Sequence, residues 1–158
     1  MAKTEPSDPD EKLRVFLDSS ALFAGIWSAT GGGRAILKLG EVGALVLLVN
    51  SQVLAEIEAA FSRKAPELLP TLAFLLEQSG IQIVDSASAE YIALCTKWVG
   101  YRADAKIVAA AWESQVDFMV TLDREHFLSN QMLKQELPFP IGTPGDFLAL
   151  FRSRLLSG

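Results

Sequence analysis

Cysteine is nearly missing from this chain, which removes two architectures at once. Cys95 is the only one among 158 residues, so no intrachain disulfide and no thiolate metal cage can form. A lone cysteine of this kind reads as a small buried apolar group. Histidine is equally scarce. His126 stands alone, and beside Phe127 it reads as a packing or surface group. Long apolar runs are absent too. The longest, residues 44–49, is the length of a strand and far short of a bilayer span. Residues 1–12 lack the apolar core of a signal peptide. A cytoplasmic protein with no membrane partner is expected. Basic residues are in deficit, with 14 Lys and Arg against 19 Asp and Glu and a net charge of −5. Charge alone therefore argues against a nucleic-acid partner, unless bound cations neutralise some of the acids.

What the chain does have is apolar sequence, at half of its residues. That is enough for one domain with a sizeable core. Residues 1–12 carry Glu5, Asp8, Asp10 and Glu11 against Lys3 and Lys12, with Pro6 and Pro9 and no apolar period. They read as a disordered tail. Residues 13–158 read as a single domain.

Strand-like and helix-like patterns alternate along that domain. Strands are expected at 13–17, 44–49, 81–84 and 117–122. A fifth, around Pro138-Phe139-Pro140-Ile141, is confined to a sheet edge by its prolines. The glycine triplet Gly31-Gly32-Gly33 reads as a loop ahead of a helix over 34–39. It lacks the Lys-Ser/Thr of a phosphate-binding loop. Ser51 is expected to cap a helix running to about Arg63. Further helices are expected at 67–78, 89–98 and 104–114, with a short one from about Arg124. A last helix over 145–156 has Thr143 as cap and Pro144 at its first position. Helices between strands imply right-handed crossovers and a mostly parallel sheet. The expected fold is α/β, a three-layer α/β/α arrangement around roughly five strands.

Four carboxylates stand where hydrophobic elements end or begin. Asp18 follows the first strand and Asp123 follows the fourth. Glu56 lies in the early turns of the helix after the second strand, and Asp104 lies near a helix start. Ligands of parallel sheets bind at the carboxyl ends of the strands, so all four can converge there. An acid embedded in apolar sequence is costly unless paired or bound to a cation. Any one of them has an ordinary explanation as a turn or a cap. The ordered set points to a shared site. Glu58 is expected on a different helix face and solvated. Glu125 stands where a fifth acid could approach. Ser20 and Thr121 carry hydroxyls beside the acids and are candidates to bond them from behind. Arg102 and Arg124 either hold substrate phosphate or pair with the carboxylates. Trp112 is expected to pack, whereas Trp27 is the better candidate for contact with a base or a partner.

These segments resemble a known family. "FLDSSAL", "SQVLAEIEAAF", "RADAKIVAAAWES" and "DFMVTLDREHFL" are similar, in order and spacing, to the four acidic motifs of PIN-domain nucleases. "PIGTPGDFLALF" resembles that family's closing strand and helix. The resemblance runs from about Leu13 to Phe151. It implies a ribonuclease dependent on Mg²⁺ or Mn²⁺, with Asp18, Asp104 and Asp123 as direct ligands and Glu56 ligating or orienting water. It also implies an RNA substrate, a toxin's role with a cognate antitoxin, and a homodimer through the helices of residues 51–79. Two other functions compete. One is a non-catalytic PIN-fold module that binds nucleic acid. The other is a haloacid-dehalogenase-like phosphatase with Asp18 as nucleophile, although Ser20 stands where that family prefers a second Asp.

Overall fold

Leu13, Val15, Phe16 and Leu17 are all buried. They form β1, Leu13–Leu17, the central strand of a five-stranded sheet in a computed structural model that describes residues 11–157. The remaining strands are β2, Leu45–Asn50; β3, Gln82–Val84; β4, Phe118–Val120; and β5, Ile141–Gly142. Their order is β3-β2-β1-β4-β5, and every pairing is parallel. Central strands buried on both faces need unbroken apolar runs, as β1 and β2 have. The proline-flanked β5 takes an edge, where a lost ladder donor costs nothing.

The helices are α1, Ser19–Trp27; α2, Gly32–Glu41; α3, Ser51–Lys64; α4, Leu69–Gln78; α5, Ala89–Thr96; α6, Arg102–Glu113; α7, Gln131–Glu136; and α8, Pro144–Ser157. The chain winds outward from β1 through β2 to β3 and then returns to β4 on the other side of β1. Right-handed crossovers in opposite directions put helices on both faces of the sheet. Accordingly α1 to α4 pack on one another, while α5 and α6 form a separate pair with α6 against β2. The α/β fold and the parallel five-stranded sheet agree with expectation. The proposed tail falls mostly on residues 1–10, outside the described residues; Glu11 and Lys12 are exposed.

Three local expectations change. Ser19–Trp27, to which the sequence patterns assign no element, is a helix. The cap of α3 is Asn50 and not Ser51: the Asn50 side chain accepts from Val53 N at 2.9 Å. Ser51 is already helical, because β2 runs directly into α3. The glycine triplet is also more than a loop, since Gly32 and Gly33 lie inside the first turn of α2. A Cβ at Gly33 would stand 2.9 Å from the Cα and N of Gly25 on α1. Backbone meets backbone there, so nothing can yield. Gly33→Ala should destabilise the fold by about 1–3 kcal/mol. A urea melt overlaying that of the wild type would contradict this.

Other assignments hold. Thr143 and Asp146 cap α8 reciprocally: Asp146 N donates to Thr143 Oγ1 at 3.1 Å and Thr143 N to Asp146 Oδ2 at 2.9 Å. Cys95 is buried, and burial pushes its thiol up to about 12, which keeps it inert. Trp112 packs between Tyr91 and Trp98. No described helix is long and apolar enough to cross a membrane.

Candidate active site

The sheet register decides the site. Leu17 is level with Val120, and Val120 with Gly142. The residues that follow, Asp18 and Thr121, therefore leave the sheet side by side. The point where the winding reverses lies between β1 and β4, and open α/β sheets bind ligands at such a switch point. Asp18 flanks it on one side and Asp123 on the other.

Asp18 is the most constrained acid. It is only 3% exposed. Its Oδ1 accepts from Ala21 N at 2.9 Å and from Ser20 Oγ at 2.8 Å, and its Oδ2 accepts from Thr121 Oγ1 at 2.5 Å. The first of these bonds caps α1. Both hydroxyls also accept from the backbone that follows β4. Leu122 N donates to Ser20 Oγ at 2.9 Å, and Asp123 N donates to Thr121 Oγ1 at 3.0 Å. Ser20 and Thr121 thus tie β1 to β4 through the Asp18 carboxylate. Burial raises the Asp18 pKa to about 6 despite its three donors, with repulsion from Asp123 adding to the rise.

The other acids approach from separate elements. Asp104 sits in the first turn of α6 and Glu56 in the second turn of α3. The Asp104 pKa is raised, first by burial and then by the charges of Asp123 and Glu56, against an opposing pull from His126. Asp123 opens a short π-helical turn, Arg124–Leu128, and accepts from His126 N at 3.0 Å. Mutual repulsion therefore links Asp18 to Asp123, and Asp104 to both Asp123 and Glu56.

Two polar partners carry no acidic motif of their own and are added by the structure. Ser19 Oγ donates to Glu56 Oε2 at 2.5 Å. Gln52 Nε2 donates to Glu56 Oε1 at 3.0 Å and to Ala103 O at 2.9 Å, joining α3 to the start of α6. Both have a signal in the sequence: Ser19 adjoins Asp18, and Gln52 lies one helical turn before Glu56. His126 corrects a larger omission. Its ring packs on Tyr101 as expected of a packing group, with centroids 4.5 Å apart. Its Nδ1, however, lies 2.9 Å from Asp104 Oδ2 and 3.2 Å from Asp123 Oδ2. The only histidine is wedged between two of the acids.

Arg102 and Arg124 are exposed and pair with no carboxylate among the described residues. Glu125 is exposed. Glu58 is exposed, as expected. Trp27 stands at the far end of α1 from Asp18, roughly 13 Å along the helix axis. There it stacks on Phe23 at 5.6 Å and adjoins no acid of the site. Arg34 donates to Gly25 O at 2.6 Å and Ile26 O at 2.9 Å.

The donor set is carboxylate oxygen, which suits a hard divalent cation. Among the described residues, no three acidic, histidine or cysteine side chains already close around one point. Mg²⁺ rarely needs such a cage. It keeps several waters and takes one or two carboxylates together with substrate phosphate. The repulsion among the acids, and the imidazole between two of them, fit a place for positive charge.

No protein-family model matches the chain, and no curated protein sequence matches it. Its structure does match solved ones. VapBC2 from Rickettsia felis, bound to a DNA fragment from its promoter, aligns over 82% of this chain and 97% of that one, with a TM-score of 0.63 and 16% identity. PAE2754 from Pyrobaculum aerophilum aligns over 90% and 99%, at 0.59 and 18%. VapC20 of Mycobacterium tuberculosis, a Sarcin-Ricin loop cleaving toxin, aligns over 70% and 91%, at 0.51 and 14%. The chain has the PIN-domain fold that these proteins share.

Proposed function

We propose that this chain is a ribonuclease dependent on Mg²⁺ or Mn²⁺, and the toxin of a toxin–antitoxin pair. What supports the reading is a linked set of acids: His126 Nδ1 lies between Asp104 and Asp123, while Ser20 and Ser19, beside the end of β1, hold Asp18 and Glu56. The likeness to a Sarcin-Ricin loop cleaving toxin supports RNA as substrate. The likeness to VapBC2 with its promoter DNA supports an antitoxin partner and an assembly that reaches DNA.

A divalent ion held here would supply Lewis-acid chemistry at the scissile phosphate. Everything else falls to the protein. Asp18, Asp104 and Asp123 would hold the ion. Glu56, steered by Ser19 and Gln52, accepts a proton from the attacking water or orients it. Ser20 and Thr121 fix the Asp18 carboxylate in one rotamer, so its oxygens are placed before substrate arrives. Arg102 and Arg124, with no acidic partner among the described residues, take the phosphates that flank the scissile bond. Self-association through α3 and α4, where Phe74 is 60% exposed, completes the proposed assembly. The phosphatase alternative lacks the second carboxylate that it would need two residues after Asp18, where Ser20 stands and donates to Asp18 Oδ1.

The direct test is incubation of purified protein with a mixed RNA pool. Cutting should appear with Mn²⁺ and vanish with EDTA. RNA left intact under both conditions, across structured and unstructured pools, would reject the ribonuclease.

A further inference from the structure

We propose that Tyr101 is a stacking platform for an unpaired RNA base next to the scissile phosphate, which makes this site selective for single-stranded RNA. The inference rests on the ribonuclease reading and adds the residue that chooses the substrate's form.

An aromatic ring left in water forgoes the gain from burial. Tyr101 is nevertheless 59% exposed. The chain's other tyrosine, Tyr91, has its ring packed edge-on against Trp112. Tyr101 leans at 40° on His126, with ring centroids 4.5 Å apart. His126 in turn touches Asp104 and Asp123. The platform is therefore one contact away from the acids.

The surroundings suit a nucleotide. Tyr101 immediately precedes α6, which carries Arg102 and Asp104 in its first turn. Across the acids, Asp123 is followed by Arg124 and preceded by Leu122, which is 44% exposed. Asp104 and Asp123 each have, within three residues in sequence, an exposed apolar side chain and an exposed guanidinium without a carboxylate partner among the described residues. In a chain of net charge −5, such cations beside the acids are where phosphate contact is least opposed. A nucleotide offers phosphate to the arginines and a base face to the tyrosine. Only unpaired bases have a face to give: duplex RNA keeps its bases stacked and presents backbone and 2′-hydroxyls. His126 gains a structural purpose from this arrangement, because it fixes the ring on which the base would lie.

The test is binding of a short fluorescent RNA, followed by anisotropy, in an Asp18→Asn background that keeps the RNA intact. The hydrogen bonds of Asp18 run to Ser20, Ala21 and Thr121, so the substitution leaves the platform in place. Tyr101→Phe should hold the single strand within about twofold, and Tyr101→Ala should weaken it about tenfold. An abasic nucleotide at the position that matters most should erase the difference between Tyr101 and Ala. Duplex RNA should not distinguish the variants. The platform is overturned if Tyr101→Ala binds single strands like its parent, or if its loss persists unchanged on abasic and duplex RNA. The latter would mean that Tyr101 acts through His126 and the fold. RNA bound normally by every variant rejects the platform and leaves the ribonuclease standing. No RNA bound or cut by the wild type rejects both. In the active background, loss of affinity should appear in KM with kcat nearly kept.

Discussion

Asp18→Asn should abolish metal-dependent cutting of RNA, by about a thousandfold or more, while the protein stays folded. The loss follows from charge. An amide cannot hold a hard cation as a carboxylate does, and electrostatic stabilisation commonly contributes most to the rate in such chemistry. Retention of the fold follows from the hydrogen bonds. Asn can keep Oδ1 facing Ala21 N and Ser20 Oγ. Its Nδ2 then donates to Thr121 Oγ1, which reverses a bond that Asp18 receives. The measurement is single-turnover cleavage in Mn²⁺ together with a thermal melt in EDTA. A variant that cuts at a tenth of the parental rate would remove Asp18 from the metal site. One that no longer melts cooperatively would make its role structural. Asp104→Asn makes a companion case. Its carboxyl pKa is raised by burial and by two acidic neighbours, so the amide should modestly stabilise the metal-free protein while cleavage is lost.

Metal-free protein should lose stability as pH rises from about 4 to about 6. The sign is opposite to that of an ordinary surface carboxylate. Unfolded, Asp18 titrates near 3.9; folded, burial moves it to about 6. Between those values the folded state binds the proton more tightly, so raising pH favours unfolding. A gap of about two pH units corresponds to about 3 kcal/mol, present below pH 4 and gone above pH 6. Asp104 is raised as well and adds to the slope. Asp146, lowered by its bonds from Thr143, opposes it. The effect is therefore best read as the difference between wild type and Asp18→Asn in urea melts with EDTA. Superimposable pH profiles for the two proteins would refute the raised carboxyl. Divalent metal should reverse the penalty. At a hundredfold excess over its Kd, Mn²⁺ should add about 2.7 kcal/mol near neutral pH. No shift at saturating Mn²⁺ would count against a shared site.

The acids are legible in the sequence because hydrophobic patterning gives strand ends, and strand ends give places. Asp18 and Asp123 can be located with no knowledge of any contact. Their supporting hydroxyls are legible for the same reason, since Ser20 and Thr121 are local to them. The edge position of β5 follows from Pro138 and Pro140, because proline lacks a ladder donor. Patterning fails at Ser19–Trp27, whose small and apolar residues carry little helical period once buried on several sides. It also fails at the glycine triplet, where Gly33 serves a helix crossing rather than a turn.

By itself the sequence determined the α/β class, the parallel sheet and the places where four acids leave or enter its elements. Those depend on local periodicity and on backbone chemistry, which short segments carry within themselves. Tertiary structure alone decided which side chains meet. It set Leu17 level with Val120, and so brought Thr121 to Asp18. It wedged His126 between Asp104 and Asp123, left Arg102 and Arg124 without carboxylate partners among the described residues, and exposed Tyr101 beside them. Such pairings depend on sheet register and helix placement, which are settled when the whole core packs and are written in no single segment.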